Sequence, residues 1–245
     1  MIKDEQDAFG HAFLDMYEGR GGREITERDD GFMLAGAGQA LYFSEYDEWP
    51  EAEKQAMEHA RGRVLDIGCG AGRHALYLQD KGLEVLGIDN SPNAIKVCRA
   101  RGLKETMVLS ITQVSRRLGT FDTILMMGNN FGLVGNPLRA RWILRRFHGM
   151  ISDRGRIIAQ NRDPYQTDEP EHLEYHDRNR ARGRPAGQVR VRVRYRKHVT
   201  PWMDLLFVSP DEMREILAGT GWRFAQILEQ RQQGNFIAIL EKTSR

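Results

Sequence analysis

The residues whose types and spacing could do chemistry lie in Val64-Leu-Asp-Ile-Gly-Cys-Gly-Ala-Gly72 and in Val85-Leu-Gly-Ile-Asp89. In the first run an apolar segment leads into Gly68, Gly70 and Gly72, residues that tolerate positive φ and let a ligand approach the main chain. A helix over Arg73–Gln79 would then present unpaired N–H groups to a polar or anionic ligand group. In the second run an acid ends the next apolar segment, about 20 residues on, where a carboxylate accepts hydrogen bonds from two ribose hydroxyls. Together these residues describe a nucleoside site. A dinucleotide loop reads G-x-G-x-x-G; here Gly72 comes one position early, and Arg73 occupies the place of the third dinucleotide glycine. Asp66, two residues before Gly68, sets up a negative field that repels a pyrophosphate and attracts an ammonium group. An NAD-dependent oxidoreductase is therefore disfavoured.

The run resembles motif I, D-x-G-x-G-x-G, of the class I S-adenosylmethionine (SAM) methyltransferases. The resemblance is specific over Arg63–Gln160 and extends in order through the end of the chain. It implies a cofactor, SAM, and a product, S-adenosylhomocysteine. It also implies roles for particular residues. Asp66 would support the loop, while Gly68, Cys69, Gly70 and Gly72 line the methionine and ribose. Asp89 would hold the ribose hydroxyls, and Asn90 would border the adenine. Ser110 and Ile111 stand where family members often carry an acid for the adenine amino group, so a hydroxyl or main-chain acceptor would substitute there. Gly128 and Asn129, after the fourth strand, would face the transferring methyl group. Such a transfer is an in-line displacement that depends on positioning, with a base needed only where the acceptor must lose a proton. No catalytic residue stands out. Asn129, Asn130 and Phe131 are candidates for shaping the acceptor side, joined by Tyr42 from the N-terminal segment and by His198 and Trp202 from a late hairpin. No metal site is implied, and His11, His59 and His148 read as surface or core histidines.

The elements that must position these residues follow from periodicity. Apolar runs at Arg63–Ile67, Glu84–Ile88, Thr106–Leu109, Phe121–Met127 and Arg156–Ala159 read as buried strands. Helices separate them: Ser91-Pro92 opens one that Gly102 closes, and Asn136-Pro137 opens another. Strands alternating with helices imply a doubly wound α/β sheet. The predicted fold is Rossmann-like, with seven strands in the order 3-2-1-4-5-7-6 and the last strand antiparallel. Residues 161–187 are polar and hold three prolines, which reads as a surface insertion. Residues 188–197 then alternate Val189, Val191, Val193 and Tyr195 with arginines, a two-residue period that gives a half-exposed strand. Ser209-Pro-Asp-Glu212 is a capping box, and two final strands, Arg223–Leu228 and Asn235–Glu241, form a hairpin around Gly234. The expected organisation is an N-terminal cover, residues 1–60, and a methyltransferase domain, residues 61–245, with an insertion at 161–202.

Composition bounds the partners. The chain has 245 residues, 40% of them hydrophobic, a net charge of +2 and two cysteines, Cys69 and Cys98. That describes one large α/β domain without a disulfide framework or membrane span, expected in the cytoplasm as a monomer or homodimer. Residues 178–197 hold eight arginines and one lysine with no acid, a pattern that could neutralise RNA phosphates. The preferred reading is an edge strand with a charged outer face, offset by the acids between Asp163 and Asp177, because interleaved exposed aromatics for base stacking are missing. The expected acceptor is a small molecule. The alternatives are an RNA methyltransferase using residues 178–197 and a non-catalytic SAM-binding module.

Overall fold

A computed structural model describes residues 2–36, 38–230 and 234–243. The first elements are α1 (Ala8–Tyr17), β1 (Ile25–Arg28), β2 (Met33–Ala35), α2 (Gln39–Phe43) and α3 (Glu51–Glu58). Strands and helices then alternate through β3 (Arg63–Ile67), α4 (Arg73–Asp80), β4 (Glu84–Asp89), α5 (Pro92–Ala100), β5 (Glu105–Val108), β6 (Phe121–Met126), α6 (Pro137–His148) and β7 (Ile151–Arg162). The chain continues with α7 (Pro170–Ala181), β8 (Gln188–Tyr195), β9 (His198–Val199), β10 (Met203–Leu206), α8 (Pro210–Leu217), β11 (Trp222–Gln230) and β12 (Asn235–Lys242).

The main sheet has the order β11-β12-β7-β6-β3-β4-β5. Pairs β3–β4, β4–β5 and β6–β7 are parallel, whereas β12 runs antiparallel to both β7 and β11. This is the α/β Rossmann-like methyltransferase fold, with the strand order and antiparallel last strand read from the sequence. Four of its five apolar runs are buried as both-face coverage demands: Val64, Leu65 and Ile67, then Val85 and Ile88, then Ile124, Leu125 and Met126, then Ile157, Ile158 and Ala159; the fifth, expected buried over Thr106–Leu109, is the edge strand β5, where Met107 is exposed. The caps act as expected. Ser91 Oγ accepts from Ala94 N at 2.9 Å, Asn136 Oδ1 from Arg139 N at 2.8 Å, and Ser209 and Glu212 bond each other's main chain at 3.2 and 2.9 Å. Gly234, expected in the turn between the last two strands, takes a φ of 67°, and residues 231–233 lie outside the described residues. No described helix is long and apolar enough to cross a membrane.

Two segments differ from the expectation. Residues 161–187 contain a twelve-residue helix, α7. Its outer surface is polar, and only Tyr175, His176 and Asn179 are buried, so too few apolar positions mark a helical face. Strand β8 is not an edge. It lies within a second sheet of order β10-β8-β1-β2, with β9 also on β8. β1 pairs antiparallel with β8 so that Glu27 sits opposite Arg192. Val191, Val193 and Tyr195 point inward and are buried, as the alternation required. Arg192 and Arg194 are offset by Glu27 and Arg196 by Asp15, while Arg180 pairs with Asp177 among the acids before the strand. Arg192 makes a two-pronged bond to the Glu27 carboxylate at 2.8 and 2.7 Å, and Arg194 donates to the same group. Hydrogen bonds from Arg192 and Arg194 hold the Glu27 carboxyl down to about 2.

Packing groups the chain into two compact units. One combines Met1–Trp49, Arg63–Val114 and Arg190–Met203; the other combines Pro50–Gly62, Ser115–Val189 and Asp204–Arg245. In the second, Asn179 ties α7 to the start of β8: its Nδ2 donates to Ala186 O at 3.0 Å and to Gln188 O at 2.7 Å. Asn179→Ala removes the donor from two buried carbonyls and should lower unfolding free energy by roughly 1–3 kcal/mol. Chemical denaturation checks this, and an unchanged midpoint would show that α7 does not depend on Asn179.

Candidate active site

The first unit holds the glycine loop. β3 ends at Ile67, and the next two amides, Gly68 N and Cys69 N, both donate to Ile88 O of β4 at 2.8 and 3.0 Å. This fork bends the chain off the strand. Gly68, Gly70 and Gly72 take φ of 73°, 55° and 85°, the left-handed region that disfavours side chains. At Gly72 space is also limiting, because a Cβ would lie 3.1 Å from Cys98 Sγ. Gly72 is the N-cap of α4, so free amides of that helix follow the loop directly. Cys69 and Cys98 are buried free thiols with their sulfurs 3.8 Å apart.

Asp89 closes the loop from β4. Its Oδ2 accepts from Gly70 N at 3.1 Å and its Oδ1 from Ser91 N at 2.9 Å, so one carboxylate fixes both the glycine turn and the start of α5. Burial pushes the Asp89 carboxyl up to about 6, against the stabilising bonds from Ser91, Gly70 and Asn90 and with a further push from Asp7. Asp66 is 3% exposed. Burial, with the nearby Asp89 charge, raises its carboxyl to about 7, and Arg73 opposes the shift. Asn90 is exposed beside Asp89. Ser110 is engaged locally: its Oγ accepts from Thr112 N at 3.4 Å, and its own N–H donates to Gln113 Oε1 at 3.1 Å. Ile111 follows as a buried residue.

Helix α1 lies against this loop. Asp7, its N-cap, accepts from Gly10 N at 3.1 Å and from Asn93 N at 3.0 Å, which couples the first turns of α1 and α5. Gly10 permits the approach, since a Cβ there would lie 2.2 Å from Ser91 Oγ. Phe13 lies 3.6 Å from the Cβ position of Gly70. Tyr42 packs edge-on against Phe13 with ring centroids 4.8 Å apart. Burial pushes the Tyr42 phenol up, as does the neighbouring Glu24. His198, on β9, is stacked on His11 at 3.6 Å, and Trp202 lies under the Arg192 guanidinium at 4.5 Å.

In the second unit the turn after β6 is built around Gln160. Its Oε1 accepts from Gly128 N at 2.6 Å and from Asn129 N at 3.3 Å, and its Nε2 donates to Glu53 Oε1 at 3.5 Å. Asn129 takes a φ of 62°, uncommon for a residue with a side chain. Its side chain makes no cap bond, and its buried Oδ1 has no hydrogen-bond partner. Asn130 opens the short 3₁₀ turn Asn130–Val134, and Phe131 is completely buried. Gln160 was missed because a single glutamine ending a buried apolar strand carries no spacing signal.

Comparison with known proteins agrees with this geometry. Residues 64–155 match the family model described as "Methyltransferase domain". Among curated proteins, the glycine/sarcosine N-methyltransferase of Parasynechococcus marenigrum is 26% identical over 112 residues, 43% of this chain. That of Halorhodospira halochloris is 28% identical over 107 residues, 41% of this chain. The matches span 40% of the length of each of these relatives. A SAM-dependent methyltransferase from Bacteroides fragilis, solved with S-adenosyl-L-homocysteine, superposes with a TM-score of 0.84 at 24% identity, over 100% of this chain and 98% of that one. Residues 64–155 are therefore similar to a methyltransferase domain, and the chain has the fold of the SAM-dependent methyltransferases.

The Asp89 environment generates a pH prediction. Were Asp89 to hold a ribose, only its ionised carboxylate would accept from both hydroxyls, and its raised value of about 6 means that acid neutralises it. At pH 5 about a tenth remains ionised, so S-adenosylhomocysteine affinity should fall about tenfold between pH 7.5 and 5. Isothermal titration across this range checks it. A flat profile would separate Asp89 from ligand binding.

Proposed function

We propose that the protein transfers the methyl group of SAM to the nitrogen of a small amine, working in the cytoplasm, where its two buried thiols stay reduced. The observation that carries the reading is the Asp89 carboxylate between Gly70 N and Ser91 N. An ionised carboxylate offers about four acceptor positions. Gly70 N takes one on Oδ2 and Ser91 N one on Oδ1, with a further main-chain contribution from Asn90, so acceptor capacity remains for a ribose hydroxyl. The donor set thus fits an adenosyl ligand. Gly68, Cys69, Gly70 and Gly72 would line its methionine and ribose, and Asn90, Ser110 and Ile111 its adenine. When bound, SAM supplies a sulfonium methyl electrophilic enough for direct displacement.

The chain's own contribution is then positioning and exclusion of water. Asp66, among apolar residues, adds negative charge behind the loop that favours a cationic ligand. Phe13 and Tyr42 cover the loop with aromatic surface. Trp202, in the same unit, remains a candidate for an acceptor contact. An attacking amine must be neutral, so its proton has to leave before transfer; water or the acceptor's own equilibrium suffices. The choice of an amine rests on the glycine/sarcosine N-methyltransferases among the relatives. An RNA acceptor is disfavoured because Arg192 and Arg194 are already committed to Glu27.

The test is transfer of radiolabelled methyl from SAM to glycine, sarcosine and a panel of small primary and secondary amines. Product on at least one amine is expected, and labelling only of added RNA, or of nothing, would overturn the reading. Replacing Arg190, Arg192 and Arg194 with Gln gives an independent check. Binding of total RNA at about 150 mM salt should be weak before and after the change. Tight, salt-sensitive binding lost in the variant would mark the strand as a phosphate contact surface.

A further inference from the structure

We propose that Asp4, His11 and His198 form a binding site for one divalent transition-metal ion with the ligand preferences of zinc, contrary to the sequence-based expectation of no metal. The three residues come from separate elements of the first unit. Asp4 opens the 3₁₀ turn before α1, His11 lies on α1, and His198 starts β9. One donor atom from each lies within 4.8 Å of the other two. His11 Nε2 and Asp4 Oδ1 are 3.0 Å apart, and the His11 and His198 rings stack with centroids 3.6 Å apart and planes inclined by 17°.

The donor set suits a borderline cation. Two imidazoles and a carboxylate match zinc and its neighbours, whereas magnesium and calcium prefer oxygen alone. With bonds of about 2.0–2.2 Å, a tetrahedral ion holds adjacent ligands about 3.3 Å apart. The Asp4–His11 pair already meets that spacing, with a proton where the metal would sit. The His198 donor needs to close by at most about 1.5 Å, which imidazole rotation supplies by splaying the stacked rings. The fourth position would be left for water.

A second observation is independent of this spacing. His198 is 8% exposed, and its Nδ1 is buried without a hydrogen-bond partner. A buried ring nitrogen left unbonded is costly, and a metal ion is the partner that an imidazole in an Asp–His–His cluster is built to take. The ion would act as a clamp rather than in catalysis. Helix α1 carries Asp7 and Phe13 onto the α5 start and the glycine loop, and β9 pairs with β8. Metal would fasten this cover to the second sheet.

The test uses the full chain, stripped with a chelator and titrated with Zn²⁺ by calorimetry and with Co²⁺ by visible absorption. One ion per chain at micromolar affinity or tighter is expected, with Co²⁺ showing the ligand-field bands of a four-coordinate nitrogen and oxygen site. His11→Asn and His198→Asn should each weaken Zn²⁺ at least tenfold and remove the rise in melting temperature that Zn²⁺ gives the parent protein. Asp4 is 74% exposed at its side chain, so Asp4→Asn should weaken Zn²⁺ while leaving the metal-free melting temperature unchanged, which separates lost ligation from lost folding. Absence of saturable binding overturns the proposal. So does binding that persists in the His11→Asn, His198→Asn double variant, which would move the ion to the Cys69–Cys98 pair.

Discussion

The Asp89 carboxylate bridges two main-chain amides, one in the glycine turn and one at the head of α5, and most of the first unit is arranged around that bridge. Gly70 can offer its N–H only because it adopts a φ of 55°. Ser91 offers its own N–H while its hydroxyl caps α5. Asp7 then bonds the next amide along, Asn93 N, and brings α1 with it. Each of these bonds satisfies a donor that a strand end or helix start would otherwise leave unpaired. The same arrangement leaves the carboxylate half-buried with acceptor capacity to spare.

Burial gives the site its electrostatic character. Asp66 and Asp89 are two acids in one low-dielectric neighbourhood, and each is raised toward neutrality. A raised carboxylate favours folding below its unfolded value and withdraws that contribution as pH climbs through about 6 and about 7. The free protein thus gives up some stability at neutral pH as these carboxyls ionise behind the loop. Glu27 has the opposite history. Hydrogen bonds from Arg192 and Arg194 hold its carboxyl at about 2, and the arginine-rich strand becomes an internally balanced sheet surface.

What could be read from the sequence was local. Ser91, Asn136 and Ser209 announce helix starts because a cap bonds within three residues, and the glycine loop with Asp89 is visible because both lie at the ends of short apolar strands. The parallel sheet followed from the alternation of strands and helices, and its order from the resemblance to the class I methyltransferases. What stayed hidden depends on distant pairing. Glu27 and Arg192 meet across β1 and β8, His11 and His198 stack from opposite ends of the sequence, and Gln160 reaches back to the turn after β6. Helix α7 was hidden for another reason: its buried side is mostly polar, so no apolar stripe marks it.

The most direct test of the account is calorimetric titration of S-adenosylhomocysteine and, separately, of NAD into the purified protein and into Asp89→Ala. S-adenosylhomocysteine should bind one to one at micromolar affinity, weaken at least tenfold in the folded variant, and be matched by no heat from NAD. Binding of NAD without S-adenosylhomocysteine, or equal S-adenosylhomocysteine affinity in the two proteins, would contradict the assignment of the loop and of Asp89.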